Sequence, residues 1–144
     1  MAIVLFDPAL IISRVAGQVG AFIKVSGAAD FVAAATGTVT PPCAFVIPVS
    51  DRVSPNDAIS IISQQDTIRF GVAIAVTNLR DPIGQNAATD LRTLRINVMT
   101  ALLGWSPASE YDPCEYGGGR LMGFKDQVLW WQDDYITRLL LRSN

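Results

Sequence analysis

The 144-residue chain contains no histidine. That absence removes the commonest general base, the Ser–His–Asp arrangement and most hydrolytic zinc sites. Charge is sparse as well. Asp, Glu, Lys and Arg make up 17% of the residues, against ~25% in ordinary globular chains. The 11 basic and 13 acidic residues are mixed along the chain and leave a net charge of −2. No basic run supplies the footprint of a phosphate-backbone binder, so no specific nucleic-acid partner is expected. No apolar run approaches the ~20 residues that cross a bilayer. The apolar start, Met1 to Phe6, lacks a basic flank and is interrupted by Asp7, Pro8 and Arg14, so it reads neither as a signal peptide nor as an anchor, and a soluble chain is expected. Cys43 and Cys114 stand far apart without the paired spacing of a zinc site, and two reduced thiols are the plain reading. No cofactor and no metal is expected.

What is abundant is apolar surface, at 50% of residues. A chain of this length fits one domain, residues 1–144, and buries enough surface to hold together without a staple. With so few charges to coat the exterior, apolar surface is left over for subunit contacts, and a homo-oligomer is expected.

Asp7-Pro8 is a helix start, an N-cap acceptor followed by proline at the first helical position. Ile11, Ile12 and Val15 follow at helical spacing up to Gly17. A short strand is expected over residues 22–25 and an Ala-rich helix over 28–36, closed by Gly37. Pro41-Pro42 introduces a strand over 43–49, and residues 51–57 read as a loop. The strongest strand signal covers 67–77. Ile68, Phe70, Val72, Ile74 and Val76 fall on one face, and Thr67, Arg69, Gly71, Ala73, Ala75 and Thr77 on the other. The large residues are expected to build the core. The small-residue face either admits another backbone or subunit closely or is merely flat and exposed. Residues 78–84 read as a turn. A long helix over 87–103 carries Leu91, Leu94, Val98 and Leu102 in one stripe, with Arg92, Arg95 and Asn97 largely away from it and Gly104 as its cap. A loop is expected over 106–119, then a hairpin of 121–124 and 127–132 about Lys125-Asp126, and a further strand over 135–142. This order gives an α+β fold: a mostly antiparallel sheet with helices packed on one face.

Few groups suggest chemistry. Cys43 sits among apolar residues and Cys114 has no basic neighbour, so neither resembles a nucleophile. Gly117-Gly118-Gly119-Arg120 leads into Leu121 without the lysine and hydroxyl of a phosphate loop, and a flexible turn is the better reading. Asp133-Asp134 lie next to each other on a strand, so their side chains point to opposite faces and do not converge; a bend or edge-strand charge is favoured over a catalytic pair. Trp130-Trp131 places one indole in the core and one outward, the latter either half-exposed or an interface anchor. A small ligand-binding or enzymatic domain with a pocket near Trp130 and Asp133 is the reading from a different class.

The segments "PPCAFVIPVSDR", "RFGVAIAVTNLRD", "ALLGW" and "GGGRLMGFKDQVLWWQDDY", in this order, resemble tail terminator proteins of tailed bacteriophages and prophages. The resemblance runs from about Ala28 onward and is strongest in the last block. It implies an α+β ring subunit of the virion tail or neck, a likeness to hexamers, assembled in the host cytoplasm. Such a ring seats on the tail tube protein, stops polymerisation, and meets the head–tail connector and, in contractile tails, the sheath protein. Another head–tail joining or neck ring protein is the nearest alternative. The family carries no catalytic residues to transfer. The resemblance makes interface candidates of Arg69, Ala73, Ala75, Arg80, Asp81, Gly117, Gly118, Gly119, Trp130, Trp131, Asp133 and Asp134. Loops 51–57, 78–84 and 111–119 are expected to touch neighbouring rings or subunits.

Overall fold

The computed structural model describes residues 3–37, 39–77 and 85–143, and of residues 85–89 the backbone only. The turn expected at 78–84, with Arg80 and Asp81, lies outside the described residues. Along the chain run α1 (Pro8–Gln18), β1 (Lys24–Ser26), α2 (Ala28–Thr36), β2 (Cys43–Val53), β3 (Ser63–Thr77), α3 (Gln85–Leu102), β4 (Glu115–Lys125) and β5 (Val128–Arg142). The strands form one sheet in the order β1-β2-β3-β5-β4. Among these strands β1 and β2 pair in parallel and the other three pairs are antiparallel.

The alternation of β3 decides the layering. Phe70, Val72, Ile74 and Val76 point to one face and meet Ile11 and Val15 of α1 and Leu91, Leu94, Val98 and Leu102 of α3. Asp7 caps α1 by accepting from the Ala9 amide at 3.0 Å. On the same face four rings from four segments stand in a row. Phe6 stacks on Phe70 at 5.3 Å, Phe70 on Tyr135 at 5.7 Å, and Tyr116 meets Tyr135 edge-on at 5.8 Å. Each such contact contributes about 0.5–1.5 kcal/mol beyond the burial of the rings.

The α+β class and the mostly antiparallel sheet agree with the sequence. The helices, however, divide: α1 and α3 share the large-residue face, whereas α2 sits on the other. There Phe31 meets Phe45 and Trp130, both at 5.8 Å, and the three rings close over Ala73 and Ala75. The small side chains of β3 therefore make room for aromatic rings of the same chain, and Ala73 and Ala75 are fully buried.

The chain departs from expectation at three further places. The second strand does not stop at Val49 but continues to Val53, through a bulge between Pro48 and Ser50. The glycine run is not a loop but the first half of β4. Finally, β5 does not break at Asp133-Asp134; it runs 15 residues without interruption because β3 and β4 pair with it on both sides.

The hairpin joining β4 and β5 turns at Asp126-Gln127, one residue later than the sequence suggests. Both residues have positive φ, 53° and 63°. That is the geometry of a type I′ turn, which favours Asn or Asp followed by Gly. Gln127 carries a Cβ in a region that disfavours it. Gln127→Gly is expected to stabilise the protein by about 0.5–1 kcal/mol, read from the midpoint of urea unfolding.

Candidate functional site

Strand β5 lies between β3 and β4, so any side chain it projects is covered unless a face is open. Asp133 and Asp134 sit at its centre and are 0% and 2% exposed. Two carboxylates withdrawn from water cost several kcal/mol each unless cations and donors replace the lost hydration. The fold supplies those partners separately on each face.

On the helix-covered face, Arg95 of α3 forks onto Asp133, with Nε 2.8 Å from Oδ2 and Nη2 3.0 Å from Oδ1. Tyr116 Oη and Trp131 Nε1 each donate to Asp133 Oδ1 at 2.8 Å. The Arg95 guanidinium also lies 4.5 Å from the centre of the Trp131 ring. Its bonds to Asp133 hold Arg95 more firmly charged than usual, while burial first and the Asp133 carboxylate second push the Tyr116 hydroxyl up. On the opposite face Arg69 Nε donates to Asp134 Oδ2 at 2.9 Å and Arg69 Nη2 to the Gly117 carbonyl at 2.6 Å. Gln132 Nε2 donates to Asp134 Oδ1 at 2.8 Å, and Arg120 Nη1 approaches Oδ2 at 3.4 Å.

The glycines clear the ground for these clamps. A Cβ on Gly119 would overlap Asp133 Oδ1 and stand 2.8 Å from both Trp131 Nε1 and Tyr116 Oη. One on Gly117 would stand 3.1 Å from Arg69 Nη1, and one on Gly71 would overlap the Gln132 amide. Gly118 has φ +102°, at a bulge between Tyr116 and Gly118. The run is glycine for space and backbone form, not for mobility. The adjacent carboxylates do diverge, as alternation requires, but they are not edge charges.

Trp130 and Trp131 also take opposite faces and both are half-buried. Trp131 lies under Arg95, and Trp130 stacks on Phe45 at 5.9 Å. Trp130 and Asp133 thus lie on different sides of the sheet and do not line one pocket among the described residues. Arg95, Tyr116, Arg120, Gln132 and Gly71 are the members of this arrangement that do not stand among the sequence-derived candidates. Gly71 facing a glycine run across a strand pair is the signal that could have pointed to them. Cys43 and Cys114 are both reduced and buried, and burial pushes each thiol up to about 11. Little thiolate exists near neutral pH in such surroundings. Among the described residues no group of three or more Cys, Asp or Glu converges to hold a metal.

What the clamps support is the outer strand. β4 has β5 on one side and no strand on the other among the described residues. Leu121 pairs with Trp131 and Phe124 with Leu129, so both point to the helix side of the sheet, yet they are 58% and 44% exposed. On α3, which packs on that side, Ile96 is also exposed.

Arg95→Ala leaves the Asp133 carboxylate buried without its cation and is expected to lower stability by about 3–5 kcal/mol in urea unfolding. Gly119→Ala should cost about 2 kcal/mol or more by collision with the same carboxylate. Excising 117–119 would remove the floor of both clamps and should unfold the hairpin.

No curated protein matches the sequence. A family model described as phage tail terminator protein matches residues 1–144, the full length. On that match the chain, with its clamped hairpin and open apolar strand, belongs to the phage tail terminator family, structural components of the bacteriophage tail.

Proposed function

We propose that this chain is a ring subunit that caps the tail tube, stops its polymerisation and offers a surface to the head connector. Membership of the family supports a place in the tail, and the exposed apolar face of β4 is the observation that carries the ring. A closed ring of identical subunits needs two different surfaces per subunit, one at each side. The sheet has such a pair. One side ends at β4 with Leu121, Met122 and Phe124 open to solvent. The other ends at β2, which beyond Phe45 has no outer strand among the described residues and exposes Val49 and Val53. Apolar residues held on a strand braced by ion pairs make a rigid docking surface, and rigidity lowers the entropic cost of association.

Leu121 and Phe124 contribute to this surface without belonging to the two clamps. The double variant Leu121→Glu/Phe124→Glu is expected to keep its circular dichroism and thermal midpoint while losing the closed oligomer in native mass spectrometry. It should also lose the ability to cap purified tail tubes under negative stain. A wild-type chain that neither closes a ring nor caps tubes at any concentration would overturn the proposal. A double variant that does both as wild type does would remove β4 from it.

A further inference from the structure

The bulge in β2 has a second effect. Pro48 pairs with Phe70, but Ser50 pairs with Arg69, so one extra residue, Val49, is absorbed between them. Because side chains alternate, one inserted residue sends all that follow to the other face. Asp51 consequently pairs with Ile68 rather than Thr67 and shares a face with Asp66. Asp66 is 2% exposed, and its Oδ1 has no hydrogen-bond partner. Both carboxyls line a cleft of about 310 Å³ whose walls are Leu5, Phe6, Pro48, Val49 and Ile68. The N-terminal wall is fixed: the Tyr111 hydroxyl donates to the Leu5 carbonyl at 3.2 Å and accepts from the Asp7 amide at 3.0 Å.

Once both carboxyls are ionised, the buried Asp66 faces a second carboxylate instead of a donor or a cation, which is costly to the isolated chain. We propose that this cleft is a socket for a basic side chain of a second copy of this chain, its guanidinium or ammonium group held between Asp51 and Asp66. The proposal rests on the ring reading above. The walls suit the methylene stem of arginine or lysine, which packs along apolar surface while its head reaches a charge. A hard divalent cation takes about six oxygens, waters among them; the cleft offers two carboxyls and Ser50, and the calcium arm of the test below separates that occupant from a basic side chain. The chain also carries the complement: Arg52, Arg92, Lys125 and Arg142 are exposed and enter no ion pair among the described residues.

The titration behaviour agrees. Burial first, then the charge and hydrogen bonding of Asp51, raise Asp66 to about 6. Asp51 is the titratable group facing it; β5 places Leu139 opposite, and the N-terminal segment places Leu5 and Phe6. A carboxyl whose pKa is higher folded than unfolded holds extra protons when folded, so the isolated fold loses stability as pH rises through about 6. A neighbour's cation would remove that loss.

Asp66→Asn in the full chain tests this. At pH 8 the isolated variant should melt above wild type, the difference vanishing towards pH 4, while its subunit association by sedimentation velocity is at least about tenfold weaker than wild type. Agmatine, a guanidinium on a four-carbon stem, should raise the melting point of wild type at pH 8 against a sodium chloride control and leave Asp66→Asn unmoved. Asp51→Asn should act in the same direction. Association equal to wild type in Asp66→Asn, or stabilisation of wild type by calcium chloride but not by agmatine, overturns the socket. A wild type that stays monomeric yet responds to agmatine through Asp66 sinks the ring and the second-copy occupant while keeping the cation site.

Discussion

Two neighbouring carboxylates on β5, the strand between β3 and β4, withdrawn from water on opposite sides of one sheet, set the terms for everything around them. Asp133 requires a helix whose arginine reaches the sheet, and Asp134 requires an arginine from the next strand. Buried ion pairs contribute little net stability compared with apolar packing, but they penalise alternatives heavily. A one-residue slip of β5 that put Asp133 in the place of Asp134 would leave Arg95 facing Gln132 and strand Asp134 in the place of Tyr135, between Phe70 and Tyr116. Since β5 pairs along its whole length with β3 and carries β4 on its other edge, fixing its register fixes the sheet.

Much of the architecture was legible because it follows from local rules. The Asp7-Pro8 start of α1 rests on capping chemistry and the two faces of β3 on side-chain alternation; the extent of α2 matches too, although Gly27 gives it no side-chain cap and Gly37 ends it in an extended conformation. So does the buried stripe of α3, from Leu91 to Leu102. These features need no knowledge of what lies across the fold.

The misreadings share one cause. Glycine and aspartate are poor strand formers in isolation, so 117–119 read as a loop and 133–134 as a break. In the fold each is accounted for by a distant partner: the glycines by bulky groups that occupy the space of a side chain, the aspartates by arginines 38 and 65 positions away. Arg95 was placed off the apolar stripe for the same reason. It borders Leu94 on the helix, and only the tertiary arrangement shows that its stem leads to a carboxylate. Sequence order, in contrast, was enough for the family: three of the four segments that carry the likeness lie largely on strands of the sheet, and "ALLGW" closes α3.

The irregularities along both margins of the sheet set a limit on growth. β2 has Pro48 and a bulge, and β4 has two interruptions of register, near Gly117 and near Met122. A margin with a missing amide hydrogen and uneven spacing is a poor template for further strands. Backbone pairing of one copy onto the next is thereby discouraged, and the proposed contact between copies would fall to side chains, which can specify a finite number of neighbours. If the chain ends a polymer as proposed, a border that resists becoming one is a fitting property.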